Sequence, residues 1–451
     1  MPGSSSTVRP LVSRTFGWFL GFACVAAIAT QANAETIVAA LSRAFASNPD
    51  LLSDRALVRA TAQNLPIAMA GYKPVIRGVA DAGVRRDDPA IGSLNSLNYP
   101  RGYGITFTQP IWDGGKARGG VDQAGAQYGA ASDLLRLREQ TILLMAADAY
   151  MSVMRGAAVV SLRRNHLQVL ELLLSHTERR AAVGEVTLAD PAQARTAVAQ
   201  AKSELLAAEA ELDAYMARYE VVIGKPPERL SPAHSIDSLL PKSEREAIAL
   251  ALSTHPAILA AAQNARAAEA GVRVAQSQLS PTVNVSGAIG QRYDSLDYLE
   301  AKGRTGLVVA TLNIPIYEGG APTASVIKSR EQASSASILV ESERERVRGD
   351  VRAAWAVWQR SAPTLVNVRQ QLASAELALR YVREEADIGT RTTQDVINAI
   401  QTLLTARIGL INAQKDRVMS GYSLLRAIGI LDLDRIASAS LAVARAKKGQ
   451  K

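Results

Sequence analysis

The sequence predicts a mainly α-helical protein carrying two pairs of β-strands and built twice on one plan, and three observations carry that prediction. Lys116 to Ala182 is a run of 67 residues without a proline, rich in Ala and Leu, with Leu134, Leu137, Ile142, Met145, Ala149 and Val153 at helical spacing. At about 1.5 Å per residue such a helix is roughly 100 Å long, far more than a compact domain needs. Just before it, Gly102 to Trp112 alternates Tyr103, Ile105 and Phe107 against Gly104, Thr106 and Thr108, the two-residue period of a strand. The third observation is that the words recur: Pro110-Ile111-Trp112-Asp113-Gly114-Gly115 returns 205 residues later as Pro315-Ile316-Tyr317-Glu318-Gly319-Gly320. The same offset pairs Val183-Gly184 with Ile388-Gly389, Asp190 with Asp395, and Val222-Ile223-Gly224 with Ala427-Ile428-Gly429. Upstream it becomes 207, pairing Asn48-Pro49 with His255-Pro256 and Lys73-Pro74 with Ser280-Pro281.

Taken in order, residues 1–34 read as a signal peptide. Arg9 and Arg14 lead, Phe16 to Thr30 is apolar but short, and Ala32-Asn33-Ala34 is a cleavage signal, so the mature chain begins at Glu35. The only cysteine, Cys24, lies in that segment, where Gly21 and Phe22 do not suit a lipid-anchor signal; the mature chain then has neither disulfides nor thiolate metal sites. No other run approaches the ~18 apolar residues of a membrane helix, so none is expected. Without the leader, 49 basic residues face 42 acidic ones, a balance of +7. Their mixing, as in Glu341-Ser342-Glu343-Arg344-Glu345-Arg346, reads as a solvated helix face and not as a nucleic-acid surface. Aromatics are 5% of the chain, and many alanines suit helices packed closely side by side instead of around one thick core.

The first repeat spans 35–230. Glu35 to Leu65 is helical, restarted at Asn48-Pro49, where Asn caps and Pro takes the first helical position. The strand pair occupies 74–112, with strands at Pro74 to Val84 and Gly102 to Trp112 around a loop at 85–101. The helical hairpin follows over 116–223: Gly184 and the polar run to Asp190 turn the chain, Pro191 opens the return helix, and Gly224-Lys225-Pro226-Pro227 stops it. A linker covers 231–242. The second repeat, 243–430, restates the plan with a helix from Ser243 to Gln278, a strand pair at 282–317 (Thr282 to Arg292 and Thr305 to Tyr317), and a hairpin at 322–429 whose long arm carries Pro363, where a kink or break is expected. The tail, 431–451, is short, basic and expected to fray.

Four strands of bilayer-crossing length cannot close a barrel, since the smallest have about eight, and open strand edges are not tolerated in lipid. Membrane-spanning strands would therefore have to come from several chains. A stripe of Ala, Leu and Val along a ~100 Å hairpin likewise demands burial along its whole length.

On these residues the chain resembles the TolC-type outer-membrane channel family, from the first helix to Gly429. The resemblance rests on the duplicated order of elements, the two Pro-aromatic-acidic-Gly-Gly joints (Pro110, Gly114, Gly115; Pro315, Gly319, Gly320) and the two tip motifs, Val183-Gly184-Glu185-Val186-Thr187-Leu188-Ala189-Asp190 and Ile388-Gly389-Thr390-Arg391-Thr392-Thr393-Gln394-Asp395. It implies a homotrimer in which each chain gives four transmembrane strands to a 12-stranded β-barrel in outer-membrane lipid, continued by a long α-helical barrel across the periplasm. It also implies recruitment by a periplasmic adaptor and an inner-membrane pump of ABC or RND type, with no cofactor. Val183, Gly184, Thr187, Ile388, Gly389 and Thr392 would form the adaptor-docking turns. Arg391 would reach Asp190 of a neighbouring hairpin, and three copies of Asp395 would ring the constriction and bind cations. Asn398 stands where a second aspartate ring is common, Ala386 where a tyrosine often supports the gate, and Ala189 where a threonine is usual, which implies a less tightly locked gate.

Catalysis finds no support in the residues. His166 and His176, ten apart, lack metal-ligand spacing on a helix; His234 and His255 stand alone. Gly114-Gly115-Lys116-Ala117-Arg118-Gly119-Gly120 lacks the order of a phosphate loop and reads as a strand-to-helix joint. Trp355 and Trp358, three apart, suit packing. The function expected is a passive exit duct for secreted proteins, drugs or both, with the absent lipid-anchor signal tilting toward secretion. A periplasmic coiled-coil adaptor without a membrane barrel is the rival, disfavoured because each repeat has its own strand pair; a trimeric surface adhesin is disfavoured because the strands lie between helices.

Overall fold

The computed structural model describes residues 34–87, 96–232, 236–293 and 302–438. The proposed leader up to residue 33 with Cys24, residues 88–95 and 294–301 of the two strand-pair loops, His234 and the last residues of the tail lie outside the described residues.

The chain begins with α1 (Ile37–Ser47), α2 (Pro49–Ala62) and α3 (Asn64–Met69). The restart between the first two is the expected one: the Asn48 side chain accepts from the Asp50 and Leu51 amides at 3.1 and 3.3 Å, and Pro49 lacks the N–H that the first turn leaves orphaned. After β1 (Val75–Ala82), the segment expected as a loop instead forms a short ribbon, β2 (Arg85–Asp87) paired with β3 (Ser96–Asn98), before β4 (Arg101–Trp112). The hairpin simply continues past the sheet, and nothing in the polar sequence forbids backbone pairing there. The long helix α4 (Lys116–Ala182) and its return α5 (Ala189–Ile223) follow.

The second repeat gives α6 (Glu244–Thr254) and α7 (Pro256–Ser277), split at His255-Pro256 just as the first is split at Asn48-Pro49, with the His255 ring nitrogen Nδ1 accepting from the Ala257 amide at 3.2 Å. Then come β5 (Thr282–Tyr293), β6 (Lys302–Asn313), α8 (Ala321–Asp387) and α9 (Thr393–Ile428). Both long helices have 67 residues. The second strand pair ends at Asn313 and not at Tyr317. Asn313 pairs with Thr282, the first residue of β5, so beyond it the strand has no partner; Gly303, expected in the loop, lies in β6 for the converse reason, opposite Arg292. The long arm also runs unbroken through Pro363. The carbonyl that the proline leaves without a donor, that of Gln359, is on an exposed residue, and its neighbour Trp358 O accepts from Ser361 Oγ at 2.6 Å and from Arg417 Nη1 at 3.0 Å.

The four strands form one antiparallel sheet in the order β1-β4-β5-β6, so the two hairpins join through β4 and β5. Apolar packing is strung along the rods in separate clusters. The largest joins Leu41 of α1, Leu143 and Tyr150 of α4, Tyr219 of α5 and Tyr422 of α9; it also takes in Ile236 of the linker and Leu431 and Ile436 of the tail. The tail is thus not frayed from its start: residues 433–438 are helical and anchored by Ile436. A second cluster centres on Val347, Val351 and Trp355 of α8, and a third, near the hairpin tips, on Leu170, Val198 and Val396. Two helices, Lys116–Ala182 and Thr393–Ile428, are long and apolar enough to cross a membrane, contrary to the expectation of none. The apolar window of α4 is mostly buried against the other helices, as a core helix is.

Candidate functional site

Three places concentrate the residues singled out above: the hairpin tips, the strand-to-helix joints and the sheet. Each tip is a Schellman reversal. Gly184 and Gly389 sit at φ of 80° and 83°, a region where a side chain is strained. The Glu185 amide reaches back to Arg180 O at 3.0 Å, and Thr390 to Glu385 O at 2.9 Å. Thr187 and Asp190 then clasp: the Thr187 amide and hydroxyl donate to Asp190 Oδ2 at 3.0 and 2.7 Å, and Thr392 does the same to Asp395 Oδ2 at 3.0 and 2.8 Å. The Thr187 hydroxyl bond holds the Asp190 carboxyl below the usual carboxylate range against its slight burial, and the Thr392 amide does so for Asp395. Both aspartates are therefore helix-start residues by geometry, whatever else they do.

The two tips lie side by side. Thr187, Asp190, Gly389, Arg391 and Thr392 line one cavity of about 740 Å³, along with the basic His176, Arg179, Arg180 and Arg383. Within the chain Arg391 does not bond Asp190; its Nε donates to Glu385 Oε2 of its own turn at 2.7 Å. The first tip carries the reversed pair, Arg180 Nε to Glu185 Oε2 at 3.1 Å. Val183 and Ile388 are exposed at the crowns. Asn398 is set apart from this group: it accepts from Gln394 at 2.9 Å and lines a separate cavity of about 260 Å³ between the first hairpin and α9, among Gln193, Gln200 and Gln401. Sequence reasoning missed the His166, Arg163 and Glu204 group there. Burial holds His166 below its ordinary pKa; Glu204, despite burial, is held low by hydrogen bonds from Gln200 and Arg163. Arg163 and His166 share one turn of α4, but Glu204 comes from the return helix about forty residues on, so only the packing of the two rods brings them together.

At the first joint Gly114 and Gly115 have φ of 66° and 89°, and the Asp113 carboxylate accepts from the Gly115 and Ala117 amides at 2.9 and 2.6 Å, capping α4. Pro110 sits in β4 at a register shift opposite β5. At the second joint Gly319 and Gly320 repeat the backbone, with φ of 63° and 81°, while Pro315 lies in irregular chain and α8 receives no side-chain cap, the Ala321 amide reaching the Glu318 carbonyl at 3.3 Å.

Register gives the sheet two unlike faces. Ile76, Tyr103, Ile105, Phe107, Ile289, Val308 and Leu312 share one. The opposite face carries Arg77, Asp81, Thr106, Thr108, Asn284, Ser286, Arg292, Thr305 and Thr311 among fewer apolar residues. Across this polar face Arg292 Nη2 donates to Asp81 Oδ2 at 2.6 Å, passing over Gly102, where a Cβ would stand 3.2 Å from the arginine chain. The outer strands β1 and β6 each have one partner, so the sheet has two open edges. Among the described residues no cluster of three or more His, Cys, Asp or Glu side chains could hold a metal ion.

Comparison with known proteins follows this geometry closely. A family model described as "Outer membrane efflux protein" matches residues 40–224 and 247–430, one match per repeat. The outer membrane efflux protein BepC of Brucella suis is 34% identical over 402 residues, covering 89% of this chain and 87% of that protein. The outer membrane protein TolC of Vibrio cholerae is 26% identical, covering 92% and 95%. Among solved structures, VceC of Vibrio cholerae superposes with a TM-score of 0.76 at 21% identity, covering 87% of this chain and 96% of that one.

Proposed function

The chain belongs to the outer membrane efflux protein family, and on that premise we propose how its residues divide the work of an export channel. The protein is a channel of the outer membrane and part of a tripartite export system, not a periplasmic adaptor. The observation that carries the rest is the sheet: two hairpins from two repeats join into four strands that still leave β1 and β6 unpaired. Three chains placed edge to edge satisfy both edges and close a twelve-stranded barrel, which lipid requires of any spanning sheet. The apolar face meets lipid and the face with Asp81, Arg292 and the threonines lines the pore.

The leader, residues 1–34, directs export and is removed. The tips form the periplasmic end. We assign the resting gate to Asp190, Arg391, Asp395 and Asn398, with Asp395 giving an acidic ring of three, and adaptor docking to Val183, Gly184, Thr187, Ile388, Gly389 and Thr392. The exposed crowns and the cavity between the tips, lined by Arg179, Arg180, Arg383 and Arg391 and by Glu185, Asp190 and Asp387, support that assignment, because a docking protein finds both apolar and charged contacts there. The Arg391–Glu385 bond does not stand in its way: both side chains are exposed to solvent, which screens the pair, so Arg391 can exchange Glu385 for an aspartate of an adjacent hairpin. Energy comes from an inner-membrane pump of ABC or RND type, and the channel catalyses nothing.

BepC carries efflux in its name, which supports efflux of drugs as the first reading; secreted protein is the second. Deleting the gene and measuring drug susceptibility and the secreted proteome side by side separates them. A deletion that changes neither sinks the export reading altogether. The gate is tested by single-channel conductance in planar bilayers: Arg391→Ala and Asp190→Ala are expected to raise it, and unchanged conductance rejects the assignment.

A further inference from the structure

Glu35, the residue that follows Ala32-Asn33-Ala34, is bound on every side. Its nitrogen donates to Arg229 O at 2.7 Å. Its carbonyl accepts from the Ser231 amide at 2.9 Å and hydroxyl at 3.0 Å, and the Tyr150 hydroxyl lies between this carbonyl, at 2.8 Å, and Ser231 O, at 2.5 Å, with one proton for the two. Its carboxylate accepts through Oε2 from the Tyr219 hydroxyl at 3.1 Å. Tyr150 and Tyr219 are fully buried, whereas Ala34 is exposed, so the 34–35 peptide bond lies where the chain leaves the protein surface.

One valence is unmet. Glu35 Oε1 is buried and receives no hydrogen bond, although Arg43 Nη1 stands 2.8 Å away as an ion-pair partner. A peptide nitrogen has one proton, and here it is spent on Arg229. An α-ammonium has three.

The second repeat shows what this site is not needed for. The residues 205 positions beyond Tyr150 and Tyr219 are Trp355 and Leu424, both packed in the apolar core of that repeat and neither bearing a hydroxyl. The residue 207 beyond Glu35 is Lys242, in the middle of a continuous chain, whose amide donates to Glu246 Oε2 at 3.0 Å. Two buried tyrosines and an acidic first residue occur only in the copy where the mature chain would start.

We propose that Arg229 O, the Glu35 carboxylate and the Tyr150–Tyr219 pair form a binding site for the chain's own α-ammonium, created when a leader peptidase hydrolyses the 34–35 bond. Water breaks that bond, its hydroxyl going to the Ala34 carboxyl and its hydrogen to the Glu35 nitrogen, which takes a further proton at neutral pH. The new cation keeps its bond to Arg229, adds one to Glu35 Oε1, and so pins α1 and the linker to the long hairpin only after processing. Charge-assisted bonds of this kind are about twice as strong as neutral ones. The inference rests on the leader assignment and not on the channel reading, so it fails or stands independently of cargo and gate.

The test uses the full-length trimer purified from outer membranes. Intact mass identifies the first residue: Glu35 is required, and any other start overturns the proposal. Two variants then displace or weaken the charge, one with a single alanine inserted between Ala34 and Glu35, and a milder Glu35→Gln. Each is expected to lose SDS-resistant trimer roughly tenfold faster than the parent at one temperature and pH 7. A second arm varies pH. The titratable groups around Glu35 are Arg43 at its carboxylate, the Tyr219 hydroxyl on Oε2 and the Tyr150 hydroxyl on its carbonyl, and burial raises both tyrosines above their ordinary range. A stabilised α-ammonium has a folded pKa above its usual ~8, so its contribution is full below that value and is lost at higher pH. The parent should therefore approach the rate of the insertion variant at pH 10. Equal rates for parent and both variants at pH 7, or a difference unchanged at pH 10, overturn the proposal.

Discussion

Two helices of the same length, at the same place in two copies of one plan, live in different surroundings. Twenty of the 67 residues of α4 are buried, against eight of the 67 of α8. The contrast continues at the joints that feed them. Ahead of α4 the strand runs on to Trp112, an aspartate caps the helix, and Gly114 is pressed against the end of α7. Ahead of α8 the strand stops at Asn313, no side chain caps the helix, and Ile316 and Tyr317 are 93% and 85% exposed. Exposed apolar residues such as Ile338, Val357 and Val366 continue along α8. Duplication made the two halves alike in sequence pattern; position made one the interior of the protomer and the other its boundary. A boundary of this kind is what a neighbouring chain covers.

The sharpest way to break that comparison is at the paired glycines. At Gly114 the φ of 66° strains any side chain, and a Cβ would stand 2.5 Å from Ser280 Cβ and 2.9 Å from Ser277 O. Gly114→Ala should therefore cost left-handed strain and overpacking together, about 3 kcal/mol, and lower the yield of assembled trimer. Gly319→Ala carries the strain but meets nothing within the chain, so about 1 kcal/mol is expected. Equal losses for the two in thermal melts would show that a neighbouring chain packs on Gly319 as tightly as α7 packs on Gly114.

The caps give a smaller contrast. Asp113→Ala removes acceptors for two helix amides and should cost ~1 kcal/mol, while Glu318→Ala should be nearly neutral in the same melts. If Glu318→Ala proves the costlier, the second joint is capped in the trimer by a contact the single chain lacks.

Along the rods the comparison is sharpened by labelling, since the proposed mature chain contains no cysteine. Val357→Cys on α8 is exposed in the single chain, and trimer formation should slow its maleimide labelling severalfold relative to SDS-denatured protein. Labelling at the denatured rate in assembled trimer would mean that α8 faces water and not a partner.

The smallest effect concerns pH at the tips, where the two copies agree. Asp190 and Asp395 have lowered folded pKa values, so what their ionised form contributes is present above the ordinary value near 4 and lost only as pH falls through the depressed one. Closed-state conductance should then be flat from pH 7 to 5 and change only below about pH 4. A transition between pH 5 and 7 would point instead to His166 and its cavity.

Much of this was legible in the sequence because its signals are periodic and local. Sixty-seven residues without proline fix a rod, alternation at Tyr103, Ile105 and Phe107 fixes a strand, and glycines in the turns fix the reversals at Gly184 and Gly389. What was not legible depended on partners. Whether β6 reaches Tyr317 is decided by where β5 begins, not by the residues of β6. Whether Pro363 breaks a helix depends on where the carbonyl it leaves without a donor, that of Gln359, points, and it lies on an exposed residue. Leu431 and Ile436 looked like a loose end until the largest apolar cluster took them in. At the candidate site the clasp of Thr187 with Asp190 follows from local spacing, but the cavity shared by both tips and the second cavity that Asn398 lines are products of packing.

The central claim, that β1 and β6 complete each other between chains, is tested most directly by disulfide trapping. Val75→Cys in β1 is combined with single cysteines placed in turn along 305–313 of β6, and each double variant is oxidised in outer membranes. The account predicts, for some position, a ladder of covalent species that ends at three chains, with no ladder from either cysteine alone. Monomers throughout, or a ladder that runs past three, would contradict it.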